Sequence, residues 1–146
     1  MVHIANAGPG KKGPIFFNVD KPVGQGPGVE PNSILSADVQ LVQCFLKALG
    51  FYRPNETGFS GRNDQETVQA IIQFQLNHTS PKPDGRISVA TGETFAPGSQ
   101  FAIFKLNELV RKKFRTEWPR IHAIGGVPGP PVLQNRLTEI FGEQLF

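Results

Sequence analysis

The chain has 146 residues, of which 38% are hydrophobic, with 12 Phe, one Cys and a formal net charge of +3. This length suits one ordinary domain with extended arms, and the apolar content can form a core, which argues against wholesale disorder. The weak charge excess argues against a nucleic-acid-binding protein, since such proteins usually carry a dense basic face. A single cysteine, Cys44, excludes an internal disulfide and a cysteine-based zinc site, and we expect it to be a buried structural thiol.

The N-terminal segment, residues 1–33, is rich in Gly and Pro and contains an apolar cluster at residues 15–19. Pro14 and Pro22 oppose helix on either side of this cluster. We expect an extended arm that lays the apolar side chains on a helical body, with a flexible tail as the alternative. The segment lacks the long apolar stretch of a secretory signal, and no run approaches the ~20 apolar residues of a membrane helix.

The first predicted helix follows Ser36, which can cap it, and contains Asp38 in its first turn, where a carboxylate suits the helix dipole. Apolar residues recur at three- and four-residue steps from Val39 to Leu49, and Gly50 stops the pattern. A short amphipathic helix is therefore expected here.

The second predicted helix begins after a glycine-containing loop at residues 51–61. Asn63 and Glu66 have the spacing of a capping box, and apolar residues continue to Phe74. A turn at residues 80–85 and a short extended piece should follow.

The third predicted helix opens at Pro97-Gly98-Ser99 and continues from Phe101 to Val110. Its wide apolar arc predicts a central position in the fold. Basic residues at positions 111–115 complement the dipole at the end of this helix, with a phosphate- or polymer-binding patch as the alternative.

A last short helix is predicted after the Gly/Pro-rich segment at residues 125–131, with Leu133, Leu137, Ile140 and Phe141 on one face. We expect this face to pack on its own domain, the alternative being a partner protein.

These patterns together predict a mainly α fold: a compact three-helix bundle with a Gly/Pro-rich N-terminal arm and a short C-terminal helix. The expected division is an extended arm over residues 1–33, a helical domain over residues 34–118, and a strap with a packed helix over residues 119–146.

Residues 37–95 resemble the bacterial peptidoglycan-binding-domain family. The repeat of that family has a Val-Gln helix ending in Leu-Gly-aromatic, an Asp-Gly turn, then Thr, Ala-Val, Phe-Gln and a second Asp-Gly. The matching residues here are Asp38-Val39, Val42-Gln43, Leu46, Leu49-Gly50-Phe51-Tyr52, Gly58, Gly61, Thr67, Ala70-Ile71, Phe74-Gln75 and Asp84-Gly85-Arg86-Ile87. A weaker likeness, at Val23-Gly24 and Asn32, is to stand-alone members encoded near type VI secretion or phage genes.

The resemblance implies a non-catalytic module that binds the glycan or stem peptide of peptidoglycan and localises itself or a partner at the cell wall, with no cofactor, nucleic acid or membrane as partner. The candidate groove residues lie in two turns that the fold would bring together: Tyr52, Arg53, Asn55, Phe59, Arg62, Asp84 and Arg86. Aromatic faces suit sugar rings and guanidinium groups suit carboxylates. Each residue also has a structural interpretation, in which the aromatics cover the border of the core, the arginines solubilise its rim and Asp84 forms its own turn. Gln43 and Gln75 are expected to brace loops or helix ends.

Several departures from the family pattern affect the expected ligand site more than the fold. Thr57 replaces the usual aspartate, Ser60 stands where an aromatic is common, and extra residues separate Gly61 from Thr67. Loops tolerate insertion, whereas a binding groove depends on the positions of its residues. The alternative function is therefore a protein–protein interaction adaptor or accessory of a type VI secretion effector or phage component, which uses a drifted version of this fold.

An enzyme is not predicted. His3, His78 and His122 are widely separated and lack the spacing of a zinc site, so no metal is expected. Glu66 and Asp84 are assigned to a helix cap and a turn, which leaves no good carboxylate pair for glycoside cleavage. We expect synthesis in the bacterial cytoplasm and action in the periplasm or after non-classical export.

Overall fold

A computed structural model describes residues 2–6, 15–54, 58–78, 82–90, 101–121, 124 and 130–141. The fold is mainly α, as the sequence predicts. Its described helices are α1 (Ala37–Ala48), α2 (Gln65–His78), α3 (Ala102–Lys113) and α4 (Val132–Phe141). Its described strands are β1 (His3–Asn6), β2 (Ile15–Asn18), β3 (Val23–Gly24) and β4 (Arg86–Ile87). The predictions made at Asn55, Thr57, Pro97-Gly98-Ser99, His122 and residues 125–129 fall outside the described residues.

Helix α1 lies at the centre of the fold. The hydroxyl of Ser36 accepts a hydrogen bond from the backbone N–H of Val39, which confirms the predicted cap. Every residue of the helix except Lys47 is buried, because α2, α3 and α4 all pack on it. The sequence assigned this central position to the third helix, but α3 packs mainly on α1 and β2.

Helix α2 begins differently from the prediction. The carboxylate of Asp64 accepts a hydrogen bond from the backbone N–H of Thr67 at 2.9 Å, so Asp64 is the capping residue. The predicted capping box of Asn63 and Glu66 is wrong, because the Asn63 side chain is directed to the N-terminal segment instead. Its Oδ1 accepts from the N–H of Gly24 at 2.9 Å, and its Nδ2 donates to the carbonyl of Glu30 at 2.9 Å.

Helix α3 begins at Ala102, and Phe101 at its N-cap position makes no side-chain capping bond. One of the basic residues at its end contacts a neighbouring helix: the ammonium of Lys113 donates to the carbonyl of Ala48 at 2.8 Å, at the C-terminal end of α1. A cation at this position also complements the α1 dipole.

Strand β2 places the apolar cluster of residues 15–19 in the core. Phe17 is fully buried, and its ring meets those of Phe45 and Trp118 at centroid distances of 6.3 and 5.5 Å. The side-chain amide of Asn107 accepts from the N–H of Phe17 at 2.7 Å and donates to its carbonyl at 2.8 Å. A buried amide on α3 therefore holds the backbone of β2 in place.

We call residues 20–36 the N-terminal strap. Its strand β3 pairs antiparallel with β4, with Val23 opposite Ile87 and Gly24 opposite Arg86. The start of the strap is held by the buried carboxylate of Asp38, which accepts from the N–H groups of Asp20 and Lys21, each at 3.2 Å. The strap thus runs over one side of α2 and returns to the start of α1.

Helix α4 is attached to α1 by a second amide clamp. Gln40 accepts from the N–H of Leu133 at 3.0 Å and donates to the carbonyl of Pro130 at 2.7 Å. Leu133 and Leu137 are buried against the body. No described helix has both the length and the apolar character needed to cross a bilayer.

Candidate binding cleft

Gln43 links α1 to the loop that precedes α2. Its Nε2 donates to Thr67 Oγ1 at 2.8 Å and to Ser60 Oγ at 2.9 Å, and its Oε1 accepts from the N–H of Gly61 at 2.9 Å. The side chain is fully buried, so these bonds replace the hydrogen bonds to water that the amide loses on burial. The prediction that Gln43 braces a loop is confirmed.

Gln75 has the same role at the far end of α2. It accepts from the N–H of Gly85 at 2.9 Å and donates to Asp84 Oδ1 at 2.9 Å and to the carbonyl of Arg86 at 3.0 Å. Asp84 Oδ1 also accepts from the N–H of Arg86. The carboxylate of Asp84 is therefore a turn-forming group, as its structural interpretation predicts.

Two candidate arginines, Arg62 and Arg86, make hydrogen bonds to the N-terminal strap. The Arg86 guanidinium donates to the carbonyls of Gln25 and Pro27. The Arg62 guanidinium donates to the carbonyl of Ser33, with a longer contact to that of Asn32. The strap thus binds one guanidinium nitrogen, Nη1, of each of these two arginines, which the sequence assigned to an external ligand.

The two candidate aromatics, Tyr52 and Phe59, pack against each other. Their rings are stacked with centroids 6.0 Å apart, and both residues are buried. Burial raises the pKa of the Tyr52 hydroxyl, while a hydrogen bond with Ser60 opposes this shift. This pair covers the border of the core, so it offers no open ring face on which a sugar could stack.

Helix α2 separates the two turns that were expected to form one groove. On one side of the helix, Val68 Cγ1 borders Gly85 and Ile71 Cδ1 borders Gly24, so this side faces β3 and β4. On the other side, Tyr52 and Arg53 lie beside residues 65, 66, 69, 70 and 73. A helix rotates by about 100° per residue, which places these two sets of α2 residues on nearly opposite faces. Asp84 and Arg86 are therefore not brought together with Tyr52 and Arg53.

An open cleft of about 380 Å³ lies on the Tyr52 side of α2. Its volume falls within the range of small-ligand sites. The cleft is bounded by the start of the α1–α2 connection, at residues 50–53, and by the outward face of α2. Its lining residues are Gly50, Phe51, Tyr52, Arg53, Gln65, Glu66, Gln69, Ala70 and Gln73.

The polar side chains of this cleft make few polar contacts with the described part of the protein. Gln65, Gln69 and Gln73 occupy successive turns of α2 and are exposed. In the part of the chain that the structure describes, none of the three side chains makes a hydrogen bond, and neither Arg53 nor Glu66 makes an ion pair. Five polar groups are thus available to a ligand.

Of the seven residues predicted from sequence, Tyr52 and Arg53 line this cleft, and Asn55 lies outside the described residues. The other polar residues that line it, Gln65, Glu66, Gln69 and Gln73, were not predicted as site residues. The signal was a row of amides at a spacing of four residues, which is also typical of an ordinary solvent-facing helix surface.

Neither a metal site nor a reactive thiol is found elsewhere in the described residues. No group of three or more His, Cys, Asp or Glu side chains among them could hold a metal ion. Burial raises the pKa of the Cys44 thiol to about 12, so the thiol stays protonated at neutral pH. Cys44 is a buried structural residue, as predicted.

Comparison with known proteins finds a family match for part of the chain. Residues 36–94, about two fifths of the sequence, match the model of the family described as "Putative peptidoglycan binding domain". This match confirms the resemblance seen at residues 37–95. Searches of the curated proteins and of the solved structures found no match. The matched segment contains α1, α2 and β4, and therefore both sides of the candidate cleft.

Proposed function

We propose that this protein is a non-catalytic module that binds peptidoglycan, and that the cleft between residues 50–53 and α2 is its binding surface. The family match supports peptidoglycan as the class of ligand. The observation that carries the choice of surface is the contrast between the two sides of α2. The N-terminal strap covers one side. The other side is lined by exposed polar side chains that make no hydrogen bond or ion pair among the described residues.

The chemistry of the cleft suits this polymer. Peptidoglycan presents acetamido groups, peptide amides and carboxylates. A glutamine side chain offers both a donor and an acceptor, so each exposed Gln can pair with an amide. Arg53 can bind a carboxylate through two parallel hydrogen bonds. Because the cleft is open and its polar side chains are exposed, binding must order them, so we expect modest affinity for one site and stronger retention on the repetitive polymer.

Co-sedimentation with purified, insoluble peptidoglycan tests this proposal. The intact protein should pellet with the polymer, and the double variant Gln69→Ala/Gln73→Ala should pellet at least fivefold less. Alanine is a good helix former, so both changes preserve α2. The matched control is Gln134→Ala/Asn135→Ala, which removes two exposed amides from α4.

The outcomes separate the two parts of the proposal. Failure of the intact protein to pellet, beside a known binder that does, would reject peptidoglycan binding. Equal pelleting of the Gln69/Gln73 variant and its control would reject this cleft as the binding surface.

We propose a second candidate function, a protein–protein interaction adaptor, because the strap occupies Arg62 and Arg86 and displays two exposed apolar residues. Ile34 and Leu35 are 45% and 41% exposed. A secreted effector or a phage component is the kind of partner proposed. Affinity capture from the native host should retrieve a protein that the Ile34→Ser/Leu35→Ser variant fails to retrieve. Wall binding without any captured partner would reject the adaptor.

A further inference from the structure

We propose that the cleft binds the stem peptide of peptidoglycan, in a form with a free amino group and a free carboxylate, and not the glycan strand. This inference rests on the proposed function. It is carried by the spacing of the cleft amides, by the way this protein uses amide side chains elsewhere, and by the two opposite charges at the cleft.

The amides of Gln65, Gln69 and Gln73 form a row along α2. With a rise of 1.5 Å per residue, positions four apart are separated by about 6 Å along the helix. An extended peptide directs the N–H and C=O groups of every second residue to the same side, at intervals of about 6.6 Å. The row of amides therefore nearly matches the repeat of an extended peptide backbone.

This protein already pairs side-chain amides with backbone segments in several places. Asn107 bonds both the N–H and the carbonyl of Phe17. Asn18 does the same with Ala90, donating at 3.0 Å and accepting at 3.2 Å. Gln40 bonds backbone groups at the start of α4. The exposed row on α2 presents the same chemistry without an internal backbone partner among the described residues.

The two charges at the cleft have opposite signs. Arg53 suits a terminal carboxylate, and Glu66 suits an ammonium group. A stem peptide that contains a diamino acid and is not cross-linked carries both groups. A glycan strand carries no cation, so it would leave Glu66 without a complementary charge.

The aromatic residues near the cleft also argue against the glycan. Sugar rings pack through their C–H faces on open aromatic rings, but Tyr52 and Phe59 are stacked on each other and buried. Phe51, the other aromatic lining residue, has edge-on contacts with Phe74 and His78 at 6.0 and 5.8 Å. Phe51 is half-buried and packed against these two rings, and the Tyr52–Phe59 pair, the larger aromatic surface near the cleft, is closed to a sugar ring.

The test compares binding of the 146-residue chain to intact peptidoglycan and to glycan strands whose stem peptides have been removed by an amidase. Because the stem peptides carry the cross-links, the released strands are soluble, so they are coupled to beads that pellet. We expect at least a tenfold loss of pelleting on the peptide-free glycan. A soluble, uncross-linked stem peptide with a diamino acid should compete for binding. The same peptide with its side-chain amine acetylated should compete several-fold less well.

Charge variants test whether the stem peptide binds in the cleft. Arg53→Gln and Glu66→Gln should each weaken competition by the free peptide about three- to fivefold, the range expected for one exposed charge contact. Arg115→Gln, which removes an exposed arginine from the segment after α3, is the matched control and should bind as the unmodified protein does.

Each result has a distinct meaning. Equal binding to intact and peptide-free polymer overturns the stem-peptide inference and leaves peptidoglycan binding standing. Loss of binding on the peptide-free glycan with no effect of either charge variant overturns the roles of Arg53 and Glu66. Absence of binding to both polymers rejects the proposed function itself.

Discussion

Gln43 on α1 and Thr67 on α2 are joined by a 2.8 Å hydrogen bond between two fully buried side chains. The same amide also bonds the loop at Ser60 and Gly61. One side chain therefore sets the position of α2 relative to α1 and the shape of the turn between them. The cleft depends on this arrangement, because its two walls belong to that turn and to α2.

Replacement of Gln43 by leucine should destabilise the protein by about 2–4 kcal/mol, because the N–H of Gly61 loses its buried acceptor and the loop loses its brace. Denaturant unfolding measures this change. The control Gln73→Leu alters an exposed glutamine of α2 and should cost less than about 0.5 kcal/mol. Equal unfolding midpoints for the two variants would contradict the bracing role.

Gly24→Ala should destabilise the protein by about 2–4 kcal/mol, since it combines backbone strain with a steric clash. Gly24 has φ of +109°, and an added Cβ would lie 2.1 Å from the carbonyl oxygen of Gly85. Gly50 has φ of +89° with no atom within 4 Å of an added Cβ, so Gly50→Ala should cost only about 1 kcal/mol. Thermal unfolding of both variants separates the two effects, and a Gly24 variant as stable as the Gly50 variant would show that the strap can move away.

Asp38 should make stability depend on pH in the acid range. Burial raises the pKa of its carboxyl above the ordinary 3.8, and hydrogen bonds from the N–H groups of Asp20 and Lys21 oppose this shift. With a raised pKa the folded state binds the proton more tightly than the unfolded state does. The contribution of Asp38 is therefore most favourable below the ordinary pKa and declines as pH rises through the raised value.

We therefore expect the stability difference between the unmodified protein and Asp38→Asn to be more favourable to the unmodified protein near pH 3 than near pH 6, values that bracket the ordinary carboxyl titration. Urea unfolding at several pH values measures it. If the unmodified protein is instead favoured more near pH 6 than near pH 3, the hydrogen bonds lower the pKa of Asp38 by more than burial raises it.

Arg86→Ala should separate stability from binding. Loss of the hydrogen bonds to Gln25 and Pro27 should cost about 1 kcal/mol, because this guanidinium is partly exposed. The cleft lies on the other side of α2, so retention on peptidoglycan should not change. A loss of binding at unchanged stability would show that Arg86 contributes to the ligand site.

The family-matched segment alone, residues 36–94, should not fold. The ring of Phe45 on α1 is 6.3 Å from Phe17 and 5.9 Å from Trp118, and both partners lie outside that segment. Removal of these elements exposes the centre of the core in a chain too short to bury it otherwise. Circular dichroism should find little helix in the fragment, whereas a cooperative, helical fragment would contradict the central role of α1.

Local spacing in the sequence predicts the parts of the fold that depend on local interactions. The Ser36 cap, the amphipathic pattern of α1 and the turn at Asp84 each rest on residues within four positions of one another, where helix and turn chemistry is regular. Gln75 braces a turn ten positions away, but Gln43 braces Ser60 and Gly61 at 17 and 18 positions away, so its role does not follow from local spacing.

Contacts between distant residues account for the errors. Asn63 bonds Gly24, 39 positions away, and Asn107 bonds Phe17, 90 positions away. An Asn before a helix has the same local pattern whether it caps the helix or clamps a strap. The cleft was missed for a related reason, since only the fold shows which exposed face of α2 the strap leaves open.

The contacts of β2 with α3 and the turn after it have a consequence for solubility. Strand β1 pairs with one edge of β2, and the opposite edge would present unpaired backbone groups to other chains. Asn107 takes the N–H and carbonyl of Phe17, and the indole N–H of Trp118 donates to the carbonyl of Ile15 at 3.0 Å. These two side chains bond the outward-facing backbone groups of Phe17 and Ile15, two alternate residues of β2. Another strand therefore cannot pair with this edge, which opposes aggregation through the apolar segment Ile-Phe-Phe.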